Sequence, residues 1–280
     1  MAFPVKVLAA CCRAGQLKRG VEKGPIVLLS ASSRRGLLHG IFTEFIHDNE
    51  FSEQQQGYRK LYEKHKQSLK NGNRVLALGG DHSVGRATVA ATAAHYENRT
   101  HVFWVDAHAD IHTPETSMSG NTHGMPVSDL IGLTNMMSID SYILKPEQFT
   151  YIGLRDVDEL EQELLESLNM QVYTSKDVKD RGIEHIMQEV YYTKIQPDTA
   201  VHLSLDVDAL DPKYIYSTGT RVDDGLTKQD LSHIIDQVKP QLVAADIVEI
   251  NPKLGNNHQV QYSTDTATDL VEEVVDALRF

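Results

Sequence analysis

Short apolar runs alternate with amphipathic stretches along all 280 residues, and that alternation narrows the possible folds more than any other feature of the chain. The apolar runs fall at residues 5–11, 75–78, 101–105, 149–152, 171–173, 200–205 and 242–247, and are expected as strands. Stretches with helical spacing fall at 53–69, 83–96, 157–168, 183–192, 227–238 and 264–278. Alternation of this kind builds βαβ units around a parallel sheet. A parallel sheet is covered on both faces, so its strands read as nearly continuous apolar runs. VLAL, HVFWV and VHLSL have that character. No Pro/Ser-rich linker, repeat or low-complexity tract interrupts the pattern. The expected architecture is a single three-layer α/β domain over residues 1–280, with a parallel sheet between two helical layers. The length suffices for one such domain. With 41% hydrophobic and 24% charged residues, the chain is not of a disordered, collagen-like or coiled-coil type.

Charge and cysteine content exclude several functions. Lys+Arg is 27 against 39 Asp+Glu, a net charge of −12. Gripping phosphate backbones needs clustered Lys and Arg, so no nucleic-acid partner is expected. No run of 18 apolar residues is present, so no membrane partner is expected either. The opening MAFPVKVLAACC is apolar but short and has no basic leader. It reads as a first strand rather than a signal peptide. Cys11 and Cys12 are the only cysteines, and adjacent cysteines rarely pair with each other. They read as small core residues at a strand end, in keeping with a reducing, cytoplasmic setting.

In open parallel sheets, ligands bind beyond the carboxyl ends of the strands. Four of the expected strands end in unusual polar residues there. One runs into Gly79-Gly80-Asp81-His82-Ser83, a second into Asp106-Ala107-His108-Ala109-Asp110. A third runs into Asp206-Val207-Asp208 and a fourth into Glu249-Ile250-Asn251-Pro252. In an extended chain, side chains at i, i+2 and i+4 share a face. Asp106, His108 and Asp110 are therefore expected side by side, as are Asp206 and Asp208, with His82 joining from another strand end. Four unpaired carboxylates in one crevice would repel and take up protons. Cations remove that conflict, and an oxygen-rich set with imidazoles and no thiolate suits Mn²⁺. Six ligands with bridging carboxylates suffice for two metal ions roughly 3.5–4 Å apart. Six of the 13 histidines fall between residues 82 and 123, which concentrates ligand chemistry there. His95 and His101 are the exceptions, expected at a helix end and a strand start. The loop Ser119-Gly120-Asn121-Thr122-His123-Gly124-Met125-Pro126 follows, rich in hydrogen-bonding groups. His123 within it has the side chain whose ordinary pKa suits a proton carrier.

Taken together these motifs resemble the ureohydrolase family, the arginases and agmatinases, and most closely the arginases. The resemblance extends over nearly the whole chain. It includes Gly20-Val21-Glu22-Lys23-Gly24-Pro25, GGDHS at 79–83, DAHAD at 106–110 and SGNTHGMP at 119–126. It continues through Gly153-Leu154-Arg155-Asp156-Val157-Asp158, SLDVDALDP at 204–212 and Glu249-Ile250-Asn251-Pro252. It implies a sheet of about eight strands and hydrolysis of L-arginine to L-ornithine and urea. The attacking hydroxide would be held between two Mn²⁺ ions per subunit. His82, Asp106, Asp110 and Asp206 match the ligands of one ion, and His108, Asp106, Asp206 and Asp208 those of the other. Ser119 and Asn121 match residues that hold the amino acid's carboxylate, Asp158 its ammonium group, and Glu161 a second acid near that ammonium. Glu249 matches the residue that orients the guanidinium, His123 a proton shuttle, Asp110 a proton acceptor, and Thr220 a threonine near the site. Members of the family usually assemble as trimers.

Two segments depart from the arginase pattern. Arg221 stands where Pro is usual and Asp224 where Gly is usual. Asp tolerates a left-handed backbone better than most residues, whereas Arg221 near a site for a cationic substrate would hinder binding unless Asp223 or Asp224 pairs with it. His112 stands where Asn is usual and retains a hydrogen-bond donor for a carboxylate. These departures leave two alternatives to arginine hydrolysis. One is action on another guanidino compound, such as agmatine or a guanidino acid. The other is a weakly active arginase-like regulatory protein.

Overall fold

Eight strands of the computed structural model, which describes residues 2–52, 56–136 and 142–280, pair into one all-parallel sheet. The strands are β1 Val5–Ala10, β2 Phe42–Ile46, β3 Arg74–Gly79, β4 Thr100–Val105, β5 Phe149–Leu154, β6 Gln171–Thr174, β7 Ala200–Asp206 and β8 Leu242–Val248. Their spatial order is β2-β1-β3-β8-β7-β4-β5-β6. The helices are α1 Gly24–Arg34, α2 Asp48–Ser52, α3 Gln56–Lys70, α4 Gly85–Tyr96, α5 Pro126–Leu130, α6 Glu159–Ser167, α7 Ser175–Arg181, α8 Ile183–Lys194, α9 Lys228–Val238 and α10 Asn257–Arg279.

The strands of the sheet's centre are buried on both faces, and alternate residues serve different cores. Leu76, Leu78, Phe103, Val105 and Leu203 pack into one apolar cluster with residues of α1, α8, α9 and α10. Val75, Val102 and Trp104 pack into the other with residues of α3, α4 and α6. This is the period-two alternation of a strand with a hydrophobic layer on each side. Burying a side chain such as Phe103 contributes roughly 1.5–3 kcal/mol relative to leaving it exposed.

The seven expected strands are all present, with ends shifted by a residue or two. The eighth, β2, was not anticipated from its residues. It is an edge strand whose sequence FTEFI leaves Phe42 and Phe45 exposed, so no continuous apolar run marks it. Lys6 of β1 pairs with Glu44 of β2 at 2.5 Å, and its Nζ lies over the Phe42 ring. The helix expected at 53–69 is found as α3, while residues 53–55 lie outside the described residues. Helix α10 begins at Asn257, seven residues earlier than expected. Asn256 caps it by accepting the Gln259 N–H at 3.0 Å, and its first turns are too polar to show an apolar stripe. Helices α1, α2, α5 and α7 were also not anticipated. Cys11 and Cys12 are buried free thiols just past the end of β1, as expected of small core residues.

Candidate metal centre and active site

Strands β3, β8, β7 and β4 are neighbours at the centre of the sheet, and their carboxyl ends carry the four polar motifs. After β3 the chain bends into a short 3₁₀ turn, His82–Val84, capped by the Asp81 carboxylate, which accepts the Ser83 N–H. Gly80 makes that bend possible, because a Cβ there would lie 1.8 Å from the Cys12 carbonyl oxygen. The His82 ring stacks on Trp104 with centroids 4.1 Å apart. Its Nε2 is 3.0 Å from Ser204 Oγ, and Ser204 in turn donates to the buried Asp246 at 3.3 Å. Its Nδ1 faces Asp106 Oδ2 at 2.9 Å, Asp110 Oδ2 at 3.1 Å and Asp206 Oδ2 at 3.4 Å.

A second group shares Asp106. His108 Nδ1 lies 3.3 Å from Asp106 Oδ1 and 3.2 Å from Asp208 Oδ2. Asp206 Oδ1 accepts the Asp208 N–H at 2.8 Å, which caps the 3₁₀ turn Val207–Ala209. Arg155 holds that turn by donating to the Asp208 carbonyl at 2.7 Å. All six expected ligands are thus brought together, but not by the expected geometry. Strand β4 ends at Val105 and β7 at Asp206, so neither triplet continues as extended chain. Asp110 sits at φ +51, in the left-handed region. That turn sends Asp110 toward His82 while His108 faces Asp208. Strict alternation would have put Asp106, His108 and Asp110 on one face.

The donor set suits cations. His82, Asp106, Asp110, Asp206 and Asp208 are all buried. Among the described residues His82 Nδ1 is a fully buried nitrogen without a well-aligned hydrogen-bond partner, aimed into three carboxylates. Burial alone would lower the His82 pKa, but the surrounding Asp106, Asp110 and Asp206 raise it well above its ordinary value. Burial, together with the charge of Asp106, pushes Asp208 up to about 6 despite the opposing pull of His108. Carboxylates so crowded and desolvated favour a compensating positive charge. The two candidate groups, His82/Asp106/Asp110 and Asp106/His108/Asp208, each have ligand atoms within 4.8 Å of one another. Two divalent cations fit them.

Above these groups lies a cavity of about 300 Å³, which reaches small-molecule size. Every expected substrate-contacting residue lines it: His112, Ser119, Asn121, Asp158, Glu161, Thr220, and the pair His123 and Glu249. Asn121 N–H donates to Ser119 Oγ at 3.2 Å, which folds the loop back on itself. Asp158 caps α6, its Oδ1 accepting the Glu161 N–H at 3.0 Å, and its Oδ2 lies 3.1 Å from His112 Nε2. His112 is held from behind by Thr116 Oγ1, 3.1 Å from Nδ1. Glu161 is only 6% exposed, so it is no ordinary surface glutamate of a helix. Burial, then the Asp110 charge, pushes its carboxyl up to about 8. His123 Nδ1 lies 3.1 Å from Glu249 Oε1. Burial works against its protonation, but Glu249 outweighs that and lifts His123 to about 9. Burial likewise opposes ionisation of Glu249, yet His123, the His82 N–H and Gln16 hold its carboxyl below the usual value.

In the departing loop Asp224 turns as expected, whereas Arg221 does not pair with the neighbouring acids. Asp224 adopts φ +66, the left-handed conformation that glycine would otherwise supply, and pairs with Lys179 at 2.7 Å. Arg221 pairs with neither Asp223 nor Asp224 among the described residues. Its guanidinium lies 4.2 Å from the Tyr216 ring and donates to the Tyr216 and Thr218 carbonyls, which keeps the cation on the loop's own surface.

Several residues of the site escaped the sequence reading. Gln16 Nε2 donates to both oxygens of Glu249, Trp104 Nε1 donates to Asp106 Oδ2 at 3.1 Å, and Asp156 lies 3.5 Å from His108 Nε2. Gln16 sits four residues before the Gly20–Pro25 segment already noted, which was the only sequence signal pointing near it.

Comparison with known proteins agrees over most of the chain. A family model described as the arginase family matches residues 4–276. An arginase of Neurospora crassa is 37% identical, with 91% of this chain and 80% of that protein covered. An arginase of Staphylococcus aureus is 35% identical, with 92% and 93% covered. Among solved structures, an arginase from Bacillus subtilis superposes with a TM-score of 0.87 at 32% identity, covering 97% of this chain and 98% of that one.

Proposed function

The chain belongs to the arginase family, hydrolases of guanidino C–N bonds, and from that premise we propose that it converts L-arginine to L-ornithine and urea. One observation carries the reading. Two His/Asp groups and the Ser119–Asn121 loop with Asp158 border the same cavity, the outer pair of contacts suited to an amino acid's head and the inner groups to cations. His82, Asp106, Asp110 and Asp206 would hold one Mn²⁺, and His108, Asp106, Asp206 and Asp208 the other. Two such ions, when bound, lower the pKa of water and supply hydroxide near neutral pH.

The chain's own residues do the remaining work. Ser119 and Asn121 hold the substrate carboxylate, and Asp158, with Glu161 beside it, receives the ammonium. Helix α6 supports Asp158 by directing its N-terminal N–H at that carboxylate, an arrangement favourable to negative charge. Glu249 orients the planar guanidinium. Asp110 accepts the proton that the attacking oxygen gives up as the C–N bond breaks, and His123, with Nδ1 engaged by Glu249, delivers a proton to the departing amine. The residues 1–280 act as one catalytic domain, assembled as a homotrimer in the cytoplasm. Among the described residues no helix is long and apolar enough to cross a membrane.

The test is urea release from L-arginine after manganese loading, with metal content measured on the same sample. Urea production at two Mn²⁺ per chain is expected. Full metal occupancy without urea would sink the reading, and parallel assays with agmatine and guanidino acids separate arginine from other guanidino substrates.

A further inference from the structure

Glu249 is held in place by unusually many constraints. Its backbone sits at φ +69, a conformation non-glycine residues rarely adopt, and the residue is 3% exposed. Oε1 accepts the His82 backbone N–H at 3.0 Å and lies 3.1 Å from His123 Nδ1. Gln16 completes the cage from the loop between β1 and α1, 233 residues away in sequence and only 6% exposed. Its Nε2 donates to Oε1 at 3.0 Å and to Oε2 at 2.9 Å. The amide orientation follows from chemistry, because an ionised carboxylate only accepts and would repel the amide oxygen. The two oxygens are therefore unequal. Among the described residues Oε1 has three donors, whereas Oε2 has Gln16 alone. Oε2 also borders Gly219, where a Cβ would come within 3.7 Å of it, and the next residue, Thr220, lines the cavity.

We infer that Gln16 is a positioning residue for guanidinium recognition. By straddling both oxygens it fixes the rotation of the Glu249 carboxylate and leaves Oε2 as the oxygen with spare acceptor capacity toward the ligand. This inference rests on the arginine-hydrolase reading above. Gln16 need not touch the substrate, and it contributes no metal ligand.

The test compares ligands with and without a guanidinium on the manganese-loaded chain. Gln16→Met keeps the side chain's length and removes the donor. Loss of a hydrogen bond to a buried charge should lower kcat/KM for L-arginine by about 10- to 100-fold. L-ornithine lacks a guanidinium, so its inhibition constant should stay within about twofold of the wild-type value under the same assay. Manganese content should not change. Gln16→Asn keeps an amide one methylene short and should lie between the two, and it carries the same comparison if Gln16→Met fails to fold. Unchanged kcat/KM for L-arginine in the variant overturns the inference, and so does a parallel loss of ornithine affinity, which would mark a merely structural loop residue. A wild-type chain that releases no urea from L-arginine overturns the substrate reading, and this inference falls with it.

Discussion

Two acids of the site, Asp110 and Glu249, occupy the left-handed backbone region, where non-glycine side chains are rare. Such strain persists only where surrounding contacts over-determine it, and both carboxylates are buried among imidazoles and amide donors. Their chemistry can be separated by substitution. Under the proposed function, Asp110→Asn removes a proposed ligand charge and the proposed proton acceptor at once. Manganese affinity should fall at least tenfold, in line with the loss of a ligand or its support, and urea release should fall with it. Full activity in that variant would refute the assignment. His123→Asn removes the proposed proton carrier, which faces Glu249 and lies outside the two candidate metal groups. Turnover should drop by about 10²–10⁴, the usual worth of general acid–base catalysis, with manganese content nearly unchanged. Loss of metal in His123→Asn would instead place His123 in the cation site. At this scale the residue types were legible in the sequence, whereas Gln16 was not. An isolated glutamine in a loop carries no spacing signal, and only the folded chain brings it to Glu249.

Elements differ in how openly the sequence announces them. The inner strands are apolar because helices cover both faces, so β3, β4, β7 and β8 stood out. Edge strand β2 faces solvent with FTEFI, and its pairing to β1 leaves no run to detect. Burial within elements also has a pH consequence. His65 on α3 and His101 on β4 are buried, and desolvation lowers each to about 3, with His202 and Lys194 respectively adding to the effect. The folded pKa lies below the unfolded value of 6.5, so the unfolded chain binds protons first as pH falls. Stability is therefore intact above about pH 6.5 and is lost progressively toward pH 3. Each imidazole should withdraw about 2 kcal/mol between pH 7 and pH 5. Melting curves over that range should show a falling Tm, less steep in His101→Gln. An identical slope in the variant would remove His101 from the account.

At the level of the whole molecule, the sheet order brings four strand ends from positions 79 to 248 into one crevice. The order β3-β8-β7-β4 makes them adjacent. Cations bound there act on the folded state alone, so they should stabilise it by mass action, about 2.7 kcal/mol at one hundred times the dissociation constant. Treatment with a chelator should abolish urea release and lower Tm, and manganese should restore both. A Tm indifferent to chelation would argue against cations at these groups. The sequence by itself determined the βαβ class and the identities of the six candidate ligands, because hydrophobic periodicity and residue chemistry are local properties. It also marked Asp224 as a residue able to take a left-handed turn. Only the tertiary structure decided which strand ends are neighbours and that Asp110 reaches His82 through a left-handed turn. It alone placed Arg221 against Tyr216 and turned Gln16 onto Glu249. These outcomes depend on contacts between residues far apart in the chain, set by how βαβ units stack and how burial forces each polar atom to find a partner, and no local pattern encodes them.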